Sequence, residues 1–302
     1  FANLMIIVKV QGGLGNQMFQ YAFGRALSEK HSQDLYLDCS EYLRPSCKRE
    51  YGLDHFNIRA KKASCGDVKS MVTPHFALRK KLKKIFAVPY SLSPTHILER
   101  NFNFQPSILE FNCGYFDGFW QTQKYFSGIS DIVRKDLTFK DAVKYSGGET
   151  FAKITSLNSV SLHIRRGDYV KVKRTRKRFS VIRAGYFKRA VEYMRSKLDT
   201  PHFFIFTDDP KWVSENFPAG EDYTLVSSSG MYEDLFLMAQ CRHNIIFNSS
   251  FSWWGAWLNG NPGKIVVAPD MWFTPHYKLD YSDVVPEEWI KLNTGYFESK
   301  EF

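Results

Sequence analysis

Four short segments of this 302-residue chain concentrate side chains able to grip phosphate or sugar. The first is HIRRGDY at 163–169. His163 and Arg165 are two apart in an apolar run, so a strand there turns both to one side. Arg165 and Arg166 fall at the end of that run. Guanidinium groups hold phosphate oxygens in a bidentate fork and keep their charge at any working pH. Asp168 either orients Arg165 or meets an incoming hydroxyl. The same charges also suit a structural salt-bridge cluster at a strand end.

The second segment is QGGLGNQ at 11–17. Three glycines ahead of a helix let backbone approach a ligand and aim N–H groups at an anion. They equally make a tight strand–helix turn. The loop is not the dinucleotide fingerprint, because Met18 occupies the third glycine position, and no Gly-Lys-Ser/Thr follows to make a Walker loop. The amides of Asn16 and Gln17 suit sugar hydroxyls.

The third segment is FNSSFSWWGAWL at 247–258. Ser249 and Ser250 stand where a strand gives way to a helix, a place for a phosphate or for ordinary serine capping. Trp253 and Trp254 are adjacent, so one is expected in the core and the other is available to stack on a sugar. The fourth is FTDDP at 206–210. Adjacent aspartates before proline begin a turn or cap a helix, and two carboxylates alone make no credible divalent site. Asp234, within MYEDLFLMAQC, has the two acceptors that a guanine edge needs. It also reads as a solvated charge near a helix N-terminus.

The elements that must position these groups alternate. Residues 5–10 form an apolar run of strand length, and 18–30 carry Phe19, Ala22, Phe23, Ala26 and Leu27 at helical spacing. LYLD at 35–38 reads as a second strand, 119–139 as helix, and 40–115 has no clear pattern. In the second half, strands are expected at 159–165, 202–208, 224–227, 244–250 and 264–269, with helices at 184–198, 231–241 and 251–259. Such alternation implies βαβ units and parallel sheets, which bind ligands beyond the carboxyl ends of their strands. The Gly147-Gly148 stretch is the best linker. It divides an N-terminal Rossmann-like domain, 1–148, from a C-terminal one, 149–302.

Composition narrows the partners. The charge is +10, from 41 Lys plus Arg against 31 Asp plus Glu, which favours anionic ligands. No recognition motif for nucleic acid accompanies it, so nucleic acid is not expected as a partner. The five cysteines (Cys39, Cys47, Cys65, Cys113 and Cys241) are scattered, as in a reducing compartment, and argue against a disulfide framework or zinc site. No run of about 18 apolar residues is present to span a membrane. Two basic runs stand out, at 79–84 and 171–178. Leu78, Leu82, Ile85 and Phe86 give the first a weak amphipathic face, compatible with peripheral contact on an acidic membrane. The second is read as a flexible loop beside HIRRGDY.

Taken in order, IIVKVQGGLGNQMFQYAFGRAL, HIRRGDY, FTDDP and FNSSFSWWGAWL resemble the bacterial α-1,2-fucosyltransferases, glycosyltransferase family eleven. The motifs span both halves, cover about a fifth of the residues and leave 40–115 unmatched. The resemblance implies a GT-B fold and cytoplasmic, metal-independent, inverting transfer of L-fucose. The donor would be GDP-fucose and the acceptor the 2-hydroxyl of a terminal galactose, on a glycan that the O-antigen context makes lipid-linked. It implies that Arg165 holds the β-phosphate, that His163 and Asp234 hold guanosine, and that Ser249, Ser250 and Phe251 form the turn beside the phosphates. Gly13, Leu14, Gly15 and Asp208 are assigned to the donor site as well. Asn16 is placed near the fucose, and Asp168 is the candidate base. Other readings are an α-1,6- or protein O-fucosyltransferase, which share the arginine motif, and a non-catalytic nucleotide- or sugar-binding protein.

Overall fold

A computed structural model describes residues 5–72, 91–93, 95–167, 172–179, 182, 184–217, 220 and 222–296. Asp168 and the basic run 79–84, with its amphipathic face, lie outside the described residues. The chain divides into two compact units. The first comprises Phe1–Lys140 with Leu279–Pro286, the second Asp141–Lys278 with Glu287–Phe302.

The strands are β1 (Ile6–Lys9), β2 (Leu35–Asp38), β3 (Lys61–Lys62), β4 (Ser91–Ser93), β5 (His96–Leu98), β6 (Gly114–Asp117), β7 (Ser159–Ile164), β8 (His202–Thr207), β9 (Tyr223–Leu225), β10 (His243–Ile245), β11 (Val266–Pro269) and β12 (Ile290–Leu292). The helices are α1 (Leu14–His31), α2 (Cys65–Met71), α3 (Ser130–Asp136), α4 (Ala142–Tyr145), α5 (Glu149–Ser156), α6 (Lys173–Phe179), α7 (Ala184–Lys197), α8 (Pro210–Asn216), α9 (Met231–Gln240) and α10 (Ser250–Leu258). One sheet runs β3-β2-β1-β6-β5-β4, the other β12-β11-β10-β7-β8-β9. Every pairing is parallel except β4 with β5.

In the first unit α1 is buried on nearly all sides, from Leu14 through Ser28. Phe23 stacks on Trp120 with centroids 4.1 Å apart and meets Phe116 and Tyr125 edge-on. A helix enclosed this way must also satisfy its polar residues. Arg25 donates to Asp136 at 2.9 Å and pairs with Glu29, while the Tyr21 hydroxyl donates to Asp136 at 2.7 Å. Burial and the Asp136 carboxylate push the Tyr21 phenol well above its usual range. In the second unit Val160, Leu162 and Ile164 of β7 alternate into a core with Phe203, Ile205, Tyr186, Val191 and Phe247.

Three local expectations are corrected. Residues 119–139 do not form one helix. Two short 3-10 turns, Gln123–Tyr125 and Ser127–Ile129, precede α3. The reason is Glu99, which accepts the backbone N–H of Phe119 at 2.6 Å and of Trp120 at 2.9 Å and holds Trp120 at a left-handed φ of 56°. Trp253 and Trp254 are both buried completely, and Trp253 lies against Trp257 and Trp289, so neither ring is left for a sugar. The stretch 171–178 is not a loop over its described part, because Lys173–Phe179 is the helix α6. Its last carbonyls are tied down: Thr274 donates to Lys177 and Arg178, and Asn248 donates to Phe179.

Asp136→Ala leaves Arg25 and Tyr21 buried without their shared acceptor. We expect the free energy of unfolding to fall by about 3 kcal/mol, read from the urea midpoint of tryptophan fluorescence. An unchanged midpoint would show that Glu29 alone compensates Arg25.

Candidate functional site

Sheet order explains where the site must form. In the second unit β7 is flanked by β10 on one side and β8 on the other, so the connections diverge between β7 and β10. That divergence opens a crevice at the carboxyl ends of the two strands. His163 and Arg165 sit at the end of β7, and Ser249, Ser250 and Phe251 follow β10 into α10. The structure therefore brings together, at one switch point, two motifs that are more than eighty residues apart in sequence.

His163 is buried, and its Nδ1 has no hydrogen-bond partner among the described residues. Burial, reinforced by the charge of Arg165, pushes its pKa down to about 3, so the ring is neutral at working pH. Its ring lies 5.8 Å from that of Phe251. Ser249 is the N-cap of α10 but makes no side-chain capping bond, so the bland capping reading does not account for it. Ser252 contributes instead, donating to the carbonyls of Phe247 and Ser249. Asn248, just before the serine pair, also donates to Trp272, tying the loops after β10 and β11 to α6.

The turn after β7 is built by FTDDP. Asp208 accepts the amide of Arg166 at 2.7 Å and that of Gly167 at 3.2 Å. A Cβ at Gly167 would stand 2.6 Å from Asp208 Oδ2, so a larger residue there would push that carboxylate aside. Asp209 accepts from Arg166 Nε at 3.2 Å and caps α8 through Trp212 N at 3.2 Å. The Arg166 guanidinium lies 4.3 Å over the Trp212 ring. Arg166 thus holds the turn, and Arg165 stands half-buried at the strand end. Asp208, assigned from sequence to the donor, has its carboxylate engaged with backbone amides of this turn.

Asp234 lies in the first turn of α9, at the same carboxyl edge. Burial raises its pKa, opposed by a hydrogen bond from Ser228. Its neighbour Glu233 does the local capping work, accepting from the amide and hydroxyl of Ser229 at 2.6 Å each.

The glycine loop belongs to the first unit, at the carboxyl end of β1. Gly12 has a φ of +83°, and a Cβ there would meet Asn16 Nδ2 at 2.6 Å. Gly13 is the N-cap of α1, which begins at Leu14 and runs on through Gly15. Asn16 Oδ1 accepts from Gln121 Nε2 at 2.8 Å. Gln17 is fully buried, donating to the carbonyls of Gly12 and Glu50 and accepting from Gly52 N, so its amide serves the fold rather than a sugar. Gln20 joins Gln11 N to the carbonyl of Gly118, binding the end of β1 to the end of β6. Sequence reasoning missed the charged residues that share this edge, Lys9 and Asp117. The run GYFD at 114–117 ends on an acid before glycine and was the available signal.

Comparison with known proteins agrees over the full length. The profile of glycosyl transferase family 11 matches residues 2–293. An α-1,2-colitosyltransferase of Escherichia coli is 31% identical over 299 residues, 95% of this chain and 99% of that protein. An O-antigen biosynthesis glycosyltransferase of the same species is 31% identical over 303 residues, 94% of this chain and 99% of that protein. A galactoside α-(1,2)-fucosyltransferase 1 of Saimiri sciureus is 24% identical over 190 residues, 58% of this chain and 51% of that protein. Among solved structures, the fucosyltransferase NodZ of Bradyrhizobium superposes with a TM-score of 0.50 at 12% identity, covering 84% of this chain and 92% of that one. The architecture is GT-B-like, with a mainly parallel α/β sheet in each unit, and the chain belongs to glycosyl transferase family 11.

Proposed function

We propose that this glycosyltransferase moves L-fucose from GDP-fucose, with inversion and without a metal, to the 2-hydroxyl of a terminal galactose on a glycan. The observation that carries the reading is the meeting of Arg165 and the Ser249–Ser250 start of α10 at the switch point of the second sheet. Breaking the sugar–phosphate bond builds negative charge on the departing diphosphate and positive charge on the sugar. Arg165 and the α10 N-terminus suit the former. Neutral His163, beside Phe251, suits contact with the nucleoside, and Asp234 its guanine edge. Asn16 is assigned to the fucose. The acceptor hydroxyl gives up its proton as it attacks, and Asp168 is the assigned base. An acceptor that is lipid-linked would bring the enzyme to a membrane. Among the described residues, no helix is long and apolar enough to cross one.

A second reading has one specific support: a relative 31% identical over nearly the whole chain is named for transfer of colitose. Colitose lacks one hydroxyl that fucose carries, so discrimination turns on whether the site pairs that hydroxyl. Competition between the two nucleotide sugars on one galactoside acceptor decides between them.

Three outcomes follow. Arg165→Ala is expected to lower turnover by about 10²–10³-fold, the usual loss for a charge-stabilising donor, with the melting temperature unchanged; activity near wild type removes Arg165 from the site. Asp208→Ala is expected to weaken GDP binding by calorimetry, because the amides of Arg166 and Gly167 lose their acceptor. A change in stability with GDP affinity intact would confine Asp208 to the fold. His163 gives a pH signature. Its folded pKa is depressed below the ordinary 6.5 to about 3. The stability tied to its neutral form is therefore complete above the unfolded value and drains as pH falls through that window, by up to about 1.4 kcal/mol per pH unit. His163→Gln should flatten this part of the urea-midpoint profile, and an identical slope in both proteins would contradict it.

A further inference from the structure

The carboxyl edge of the first sheet is unlike that of the second. β1 lies between β2 and β6, so the carboxyl ends of β1 and β6 are neighbours at that edge. Register sets one row of side chains across it: Lys9 pairs with Asp38 of β2, and Asp117 follows the Val8–Phe116 pair of β6. Asp38 is buried and spent, accepting from Ser40 N at 3.0 Å and from the Tyr115 hydroxyl at 2.7 Å. Asp117 is partly exposed instead, and its partners are polar side chains at the same edge. Lys9 Nζ reaches both its oxygens, at 3.1 and 3.2 Å, and Gln11 Nε2 reaches Oδ1 at 3.4 Å. His96 Nε2 stands 4.0 Å from Oδ2. The Lys9 and Asp117 side chains remain 24% and 13% exposed, so solvent, and a ligand, can reach them. The ends of β1 and β6 are held at fixed spacing by Gln20, bonded to Gln11 N on one side and to the Gly118 carbonyl on the other.

The chemistry of this trio selects its ligand. Lysine only donates, an ionised carboxylate only accepts, and glutamine does both. Lys9 and Asp117 sum to no net charge. A phosphate would meet the Asp117 carboxylate, and a divalent cation would meet the Lys9 ammonium, so neither gains. A neutral molecule with neighbouring hydroxyls, each able to donate and accept, uses all three groups.

We propose that Lys9, Gln11 and Asp117 form the subsite for the acceptor sugar, with Asp117 accepting hydrogen bonds from two of its hydroxyls. This rests on the transfer reading above for the identity of the sugar, a terminal galactose, and on the sheet geometry alone for its class, a neutral polyol. The trio is assigned to the acceptor; of the groups assigned to the donor, His163, Arg165, Asp234 and Ser249–Phe251 belong to the second unit and the glycine loop to the first.

The experiment is a pair of variants, Asp117→Asn and Lys9→Gln, each checked for an unchanged melting temperature. Lactose serves as the acceptor probe. Asp117→Asn is expected to raise the acceptor KM by about tenfold or more and to erase the saturation-transfer NMR signal of lactose. GDP affinity should stay within about twofold of wild type. Unchanged lactose binding in both variants overturns the subsite. So does a loss of lactose binding matched by an equal loss of GDP affinity and melting temperature, which would make the ion pair structural. Inorganic phosphate binding that strengthens in Asp117→Asn also overturns it, in favour of an anion site. Should the wild-type enzyme prove inactive with GDP-fucose, the donor reading fails, while the lactose NMR comparison still decides the subsite.

Discussion

The carboxylate of Asp208 accepts the backbone amides of Arg166 and Gly167, and the geometry of the second unit's edge depends on that contact. A strand that ends on two adjacent arginines has strong self-repulsion and no intrinsic reason to turn one way. Asp208 fixes the backbone, Asp209 draws Arg166 aside, and the Trp212 ring supports it from the other face. Positive charge is thereby divided between two jobs. One guanidinium becomes part of the scaffold, so that the preceding one keeps a defined place next to the start of α10. In the proposed reaction, pre-organised charge of this kind would avoid the reorganisation that a mobile arginine needs during bond cleavage.

The two units carry opposite electrostatics at the carboxyl edges of their sheets. In the second, β7 and β10 send their connections in different directions and leave a crevice at that edge; in the first, β1 stands beside β6, the last strand of its unit. The second unit fills that edge with cationic and N–H donor groups, suited to a diphosphate. The first fills it with a balanced pair, Lys9 and Asp117, and with amides. The glycine loop belongs to this second pattern. Its buried glutamines, Gln17 and Gln20, spend their amides on backbone and make the loop a rigid rim.

Much of the second unit was legible in the sequence, because its strands are apolar runs bounded by turn residues and its helices are amphipathic. The limits of β7, β8, α7, α9 and α10 fall within two residues of the expectation. The motif residues were legible for a related reason: each lies at the end of such a run. The first unit was harder. Its strands after β2 are two to four residues long, too short for any period to show. The trio at its edge joins Lys9 to Asp117 across 108 residues, and no local pattern announces that pairing. Glu99 illustrates the same limit. Its carboxyl, pushed up to about 8 chiefly by burial, dictates a left-handed Trp120 twenty-one residues away and so interrupts a stretch that looks helical on its own. Helical spacing in 119–139 is real, but tertiary hydrogen bonding outweighs it.

The excursion of Leu279–Pro286 back to the first unit has a consequence for biosynthesis. There Asp280 accepts from Phe102 N at 2.7 Å, and Asp283 accepts from Phe104 N and from Lys124, also at 2.7 Å. A nascent chain cannot supply these partners until residues 280 and 283 have been made, after most of the second unit. During synthesis the Phe102–Phe104 segment of the first unit therefore waits for its partners while the second unit is being made. Only when residue 286 emerges can the first unit close, and β12, at the edge of the second sheet, follows directly behind. Completion of the two units is thus nearly simultaneous, although their first strands are made some 150 residues apart.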